Sequence, residues 1–395
     1  MKTNTFEKLY RKKRKTVIGL MSGTSADGID AALVNIAGSG TSTKIRLRTF
    51  HTFPYPRGFK EFLVRNSNPD TARLDDVARL DMLIATFFAD AAKKIARRAG
   101  CRMNDIDLIG SHGQTIQHIP QFKKLFGKRI RSTLQIGNPS AIAKLSGVVT
   151  VGDFRSGDVA VGGSGAPLVP LFDYLLLRSR TKNRAALNIG GIANITVLPR
   201  NCSLDNVVAF DTGPGNMIID DLMQRFFDKP FDNNGLIASH GRIIPALLRQ
   251  MMNHPYFQQK PPKSTGREMF GKLFINKLLQ HHHKAHPRDL ITTVTEFTAL
   301  SIYQSSLRFI RRTSPLNELI VSGGGVHNTY LLNALQRYFA GIRILTTDEL
   351  NIPSDAKEAI CFAMLANETV SSRPGNVPGA TGASAQTLLG VIALP

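Results

Sequence analysis

Apolar positions along this chain gather into short runs, and each run stops at a loop of small or polar residues. The stretch "IGLMSGTSADGIDAALVNI" is the first case. Residues 17–21 and 29–36 are apolar and rich in β-branched side chains, so both read as strands. Between them lie Ser22, Gly23, Thr24, Ser25, Ala26, Asp27 and Gly28, a tight loop with two glycines, three hydroxyls and one carboxylate. A third strand is predicted over residues 46–53. A helix follows, in which Leu80, Leu83, Ile84, Phe87, Phe88, Ala91 and Ile95 recur near the 3.6-residue period. "DIDLIGSHGQTI" then gives a short strand running into a polar loop at residues 111–115, and "VVTVGDFRSGDVAVGGSGAP" repeats that design from a strand at 148–151.

A second cycle begins near Ala185. "AALNIGGIANITVLP" holds two apolar runs about Gly190 and Gly191. "VVAFDTGPGNMIIDDLMQRFF" and "ELIVSGGGVHNTYLLNALQRYF" each read as strand, glycine loop and amphipathic helix. The recurrence in both halves predicts two related α/β lobes whose loops converge on a ligand cleft. The expected organisation is a basic N-terminal tail (1–15), an N-terminal lobe (16–180) and a C-terminal lobe (181–395).

A chain of 395 residues is long enough for two such cores. No apolar run reaches the roughly 18–20 residues of a membrane helix, and no signal-peptide pattern opens the chain. Cys101, Cys202 and Cys361 are odd in number and far apart, which excludes a disulfide framework and points to a reducing cytoplasm. The net charge of +21 is concentrated in "RKKRK" (11–15) and "KKLFGKRIR" (123–131). These are read as a disordered tail and a solvated loop. No helix-turn-helix, zinc-finger or aromatic-interleaved pattern accompanies them, so neither a specific nucleic-acid partner nor a membrane partner is expected. His281, His282, His283 and His286 are read as a solvated helix end, because consecutive helical positions point in different directions.

No loop fits the Walker spacing or the dinucleotide fingerprint. "SGTSADG", "DTGPGN" and "SGGGVHN" share another property: each follows a β-rich run and offers backbone N–H groups where glycine permits close approach. Together they resemble the two phosphate loops and the adenosine loop of the sugar kinase, Hsp70 and actin superfamily. The resemblance narrows further. "GLMSGTSADGID", "GSHGQTI", "LQIGNP", "DFRSGDVAVGGSGAPLVP", "NIGGIANIT", "FDTGPGN", "KSTGRE" and "SGGGVHN" resemble, in order, the motifs of the anhydro-N-acetylmuramic acid kinase family.

That resemblance implies two actin-like (ribonuclease H-like) lobes with an ATP and sugar cleft between them. It implies ATP-dependent phosphorylation of 1,6-anhydro-N-acetylmuramic acid with hydrolytic opening of the anhydro ring, yielding N-acetylmuramic acid 6-phosphate in cell-wall recycling. ATP and Mg²⁺ are the implied cofactors, the sugar is the partner, and a homodimer is the implied assembly. The candidate ATP-binding residues are Gly23, Thr24, Ser25, Ala26, Asp27, Gly28, Ile29 and Asp30, then Gly213, Gly215 and Asn216, then Gly323, Gly324, Gly325 and Asn328. Mg²⁺ falls to Asp27 or Asp30 through water, since hard cations prefer carboxylate oxygen. Gln114, Thr115, Asp158 and Glu358 fall in the sugar pocket, while His112 either joins them or packs within its loop.

Ring opening needs a base to activate water at the anomeric carbon. In "FDTGPGN" Asp211 is the one group able to accept a proton near neutral pH, and the resemblance puts the family's catalytic aspartate there. Two other readings stand beside this one. A kinase for another amino sugar would lack the "DFRSGDVAVGGSGAP" and "KSTGRE" segments, and a non-catalytic nucleotide-dependent interaction protein would survive loss of Asp211.

Overall fold

The computed structural model describes residues 5–23, 26–310 and 315–395. Thr24 and Ser25, two of the candidate phosphate contacts, lie outside them. The chain divides into two units, residues Met1–Leu176 with Ala356–Pro395, and Leu177–Asp355.

The first unit opens with β1 (Arg14–Ser22), β2 (Gly28–Ala37) and β3 (Lys44–Pro54), an antiparallel meander. β4 (Leu108–Leu125) pairs parallel with β1, β5 (Lys128–Ile136) folds back antiparallel on β4, and β6 (Thr150–Gly152) pairs parallel with β4. The second unit has β7 (Arg184–Ile189), β8 (Ile192–Leu198) and β9 (Val208–Pro214) as its meander. β10 (Glu318–Ser322) and β11 (Arg343–Thr346) then extend it in parallel. The second sheet runs β9-β8-β7-β10-β11, and the seven-stranded first sheet contains the matching order β3-β2-β1-β4-β6, with β5 beside β4 and one further strand beyond β6. Over those five strands, in order and direction, the two sheets are one design used twice, as the recurrence of strand-loop patterns predicts.

The sequence boundaries need correction at three places. Ala356–Pro395 packs with the first unit, so the C-terminal lobe is not 181–395. Its helix Lys357–Val370 is buried at nearly every position, and its last strand, β12 (Val391–Ala393), pairs with β6. The physical reason is close approach. A Cβ on Gly19 in β1 would stand 1.8 Å from the Ala359 carbonyl oxygen, so this helix lies directly on the first sheet. The opposite face of that sheet is covered by the amphipathic helix Leu74–Arg98, with Ile84, Phe88 and Ile95 fully buried. The N-terminal segment is not a bare tail, since Thr5–Arg11 is helical with Leu9 buried and β1 already begins at Arg14. Residues 111–115 and 123–131 are not loops: both belong to the long β4–β5 hairpin. Among the described residues no helix is long and apolar enough to cross a membrane.

Candidate active site

In the first unit the β1–β2 turn is braced from behind. Ser22 donates to Gln114 Oε1 at 2.5 Å and accepts from the Tyr55 hydroxyl at 3.0 Å, and Gln114 Nε2 donates to the Gly23 carbonyl at 3.2 Å. Gln114 is buried and serves the turn itself. Thr115 accepts from Gln135 at 3.2 Å. Asp27 is exposed and ion-paired with Lys60 at 2.5 Å, whereas Asp30 accepts from Thr52 at 2.6 Å.

Next to this turn is a cluster of charge. Arg155 sends Nε and Nη2 to His112 Nε2 at 3.1 and 2.8 Å. His112 Nδ1 is 3.0 Å from the Gly113 carbonyl, so it is the protonated nitrogen and Nε2 is the acceptor. Burial, then the neighbouring guanidinium, hold His112 well below its usual range, so it is neutral. Burial also lowers Arg155 to about 10, against the pull of Glu358. The Glu358 carboxyl is raised, first by burial and then by Asp30, with Lys357 and Arg155 opposing. No hydrogen bond reaches Glu358 among the described residues. A half-buried carboxylate flanked by a guanidinium and left without a donor is equipped to receive hydroxyl or amide donors from a ligand.

Asp158 differs. It is completely buried, and its carboxylate accepts from Gly165 N–H (2.8 Å), Asn376 (2.8 Å) and Thr381 (2.7 Å). Those bonds fasten the 162–167 loop to the C-terminal return, so the expected sugar contact is corrected to a structural one.

In the second unit Asp211 is held by a clasp. Its N–H donates to the Lys263 carbonyl (3.1 Å), its Oδ2 accepts from Thr265 N–H (2.9 Å), and its own carbonyl accepts from the Tyr256 hydroxyl (2.7 Å). Oδ1 has no bonded partner among the described residues. Burial raises the carboxyl to about 7; the Thr265 bond and Lys263 oppose this, and Glu268 adds to it. Lys263 is itself buried, lowered to about 8 by burial and Arg308 against the pull of Asp211, with Nζ 4.4 Å above the Tyr256 ring. A carboxyl anchored through one oxygen, open at the other and poised near neutrality fits a general base.

The glycines divide by what surrounds them. A Cβ at Gly215 would meet the Gly190 carbonyl oxygen at 2.3 Å, and the N–H groups of Gly215 and Asn216 already donate to the Gly191 and Gly190 carbonyls. These amides pack one turn on another and are not available to phosphate, which corrects that part of the expectation. Asn328 is committed as well, capping the helix Thr329–Tyr338 through Leu331 N–H at 3.0 Å. Gly324 is open: a Cβ there would meet only Asn216 Nδ2, at 3.7 Å. Gly190 and Gly191 have similar room.

The family model for anhydro-N-acetylmuramic acid kinase matches residues 15–395. The chain belongs to that family. It is 45% identical over 389 residues to the anhydro-N-acetylmuramic acid kinase of Salinibacter ruber, covering 98% of each chain. The relative from Caldanaerobacter subterraneus is 44% identical over 391 residues, covering 98% of this chain and 99% of that one. One from Bacillus thuringiensis is 44% identical over 381 residues, with 96% and 99% covered.

An anhydro-N-acetylmuramic acid kinase framework gives meaning to residues that the sequence reading passed over. Arg155 stands in "DFRSGD" three positions before Asp158, and Lys263 and Thr265 stand in "KSTGRE". Gly190 and Gly191 occupy the β7–β8 turn, the counterpart in the second sheet of the β1–β2 turn in the first. The signal was the repeated meander, which places a first hairpin turn in each half. His286 accepts from Arg288 N–H at the start of the helix Pro287–Phe309, and no group of three ligands forms among the described residues.

Proposed function

We propose that this protein uses ATP to phosphorylate 1,6-anhydro-N-acetylmuramic acid with hydrolytic opening of the anhydro ring, with Asp211 as the base. The observation that supports this assignment is the clasp: one Asp211 oxygen is fixed by Thr265 N–H, the other is open, and burial keeps the group near neutral pH. In the proposed reaction Asp211 takes a proton from water as its oxygen bonds to C1. The C1–O6 bond breaks, its electron pair stays on O6, and O6 attacks the γ-phosphorus as ADP leaves. Glu358 and Arg155 orient the sugar's polar groups, and His112 keeps Arg155 in place through Nε2.

The β1–β2 turn and the open glycines Gly191 and Gly324 are the proposed phosphate and nucleotide contacts. Asp30, on β2 just after the β1–β2 turn, offers the carboxylate oxygen that a hard divalent cation prefers. Asp30 would thus hold Mg²⁺ through water, and Asp27, tied to Lys60, is the weaker candidate. Bound Mg²⁺ supplies neutralisation of phosphate charge. A homodimer and a cytoplasmic location remain part of the proposal by family resemblance.

The test is turnover in ¹⁸O-water with ATP and the anhydro sugar. Label is expected at C1 of the product and absent from the transferred phosphate. Label in phosphate, or a product sugar unlabelled after correction for anomeric exchange, overturns the assignment.

A further inference from the structure

The segment 117–134 is a two-stranded ribbon formed by the ends of β4 and β5, and every residue from 121 to 130 is exposed. Its register sorts the side chains sharply. Lys123 pairs with Ile130, Leu125 with Lys128, Ile119 with Ser132, and Gln117 with Leu134. Directly paired residues share a face and alternate positions along a strand share a face. Ile119, Leu125, Ile130 and Leu134 therefore all lie on one side, joined there by Lys123 and Lys128. All four are exposed. The opposite side holds Lys124, Arg129 and Arg131, with Phe122 covered by the two guanidiniums at 4.5 and 3.7 Å. At the tip Phe126 is wholly exposed, in a turn where it and Gly127 both have positive φ. From residue 108 to 152 the sequence contains no Asp or Glu.

We propose that this ribbon is a docking surface for an anionic lipid bilayer. The aliphatic face and Phe126 enter the headgroup boundary, where Lys123 and Lys128 on the same side meet the lipid phosphates, and Lys124, Arg129 and Arg131 on the other side add their charge to the attraction. The charge selects this occupant. Five cations with no anion among them complement an anionic surface, and each such residue strengthens attachment about fivefold. A second copy of the chain would bring the same five cations and a like net charge of +21 against them. Single-stranded nucleic acid would use aromatic platforms, yet Phe122 is already covered by arginines and four aliphatic side chains would have no role. An apolar stripe rimmed by lysines whose stems reach back to the phosphates is the arrangement that an interface of lipid and water favours. Attachment would be peripheral, since no described helix can span a membrane.

The experiment is co-sedimentation of the full chain with phosphatidylcholine vesicles, with and without phosphatidylglycerol, at low and physiological salt. Binding is expected to the phosphatidylglycerol vesicles, weakened by at least about tenfold on pure phosphatidylcholine and by added salt. The triple variant Leu125→Ser, Phe126→Ser, Ile130→Ser should lose about tenfold or more of that binding while its kinase turnover is unchanged. Arg11→Ser with Lys13→Ser, at the other basic cluster, should leave binding within about threefold. No binding to anionic vesicles by the intact protein overturns the proposal. So does binding that survives the triple variant or vanishes with the Arg11 and Lys13 changes. Tighter binding of a single-stranded RNA that displaces the vesicles, or concentration-dependent dimerisation abolished by the triple variant, assigns the ribbon to another partner and also overturns it.

Discussion

The two units share one strand order and place their carboxylates by different means. In the second unit the reactive candidate, Asp211, is on the third strand of the meander, and a distant segment without regular structure clasps it. In the first unit the equivalent strand, β3, has Thr52 and Phe53 towards its end, and Thr52 serves Asp30. The available carboxylate there is Glu358, on a helix that returns more than two hundred residues later. Duplicated topology thus supplies matching turns, and the chemistry comes from whatever the later chain lays beside them. The contrast also separates a carboxyl that is anchored and raised to about 7 from one that is flanked by a guanidinium and lacks a donor.

Asp211→Asn should have the largest effect. It keeps shape and the bond from Thr265 and removes the proton acceptor, so kcat should drop by about 10²–10⁴ while calorimetry still shows ATP and sugar binding. Normal turnover would place the base elsewhere. Glu358→Gln tests the other half of the contrast. The KM for the sugar should rise by about tenfold to a hundredfold, with kcat changed only a few-fold. A collapse of kcat at unchanged KM would give Glu358 a part in the chemistry and dissolve the distinction.

The glycines sharpen it further. Gly215→Ala should destabilise the fold by about 2–3 kcal/mol in denaturant unfolding, because its Cβ meets a backbone carbonyl that cannot move aside. Gly324→Ala has room, so stability should stay within about 0.5 kcal/mol and the KM for ATP should rise instead. Equal destabilisation by both would remove Gly324 from the nucleotide contacts.

The smallest effects concern pH. Asp211 must be ionised to accept a proton, so kcat should fall on the acid side with a limb near pH 7. Asp220, also raised to about 7 by burial, titrates in the same range, and Asp220→Asn should leave that limb in place. Because the Asp211 carboxyl is raised in the fold, the proton it binds stabilises the folded chain below about pH 4, and this is lost as pH rises through about 7. Asp211→Asn cannot lose it. Its Tm should match that of the parent near pH 4 and exceed it at pH 8, and the reverse order would mean the carboxylate is stabilised in place.

Much of this was legible in the residues. The β-branched runs of β1, β2 and β7–β10 and the helix with Leu80, Ile84, Phe88 and Ile95 announce themselves by local period, and Asp211 by its glycine-lined motif. What escaped were properties held by partners distant in sequence. Asp158 read as a ligand contact until Asn376 and Thr381 were beside it, and Gly215 read as an amide donor until Gly190 lay across it. Residues 123–131 read as a solvated loop because their basic side chains hide the alternation that pairing reveals.

By itself the sequence determined the family and the repeated strand-and-glycine-turn design, and it nominated Asp211 as the candidate base. These depend on residue type and local spacing, which a linear chain displays directly. Only the tertiary structure decided that the helix Lys357–Val370 belongs to the first unit, that Arg155 and Glu358 share one cluster, and that Lys263 and Thr265 fix Asp211. Each of these joins groups from separate parts of the chain, and the burial that shifts a pKa, or uses up a hydrogen bond, exists only once those parts have packed.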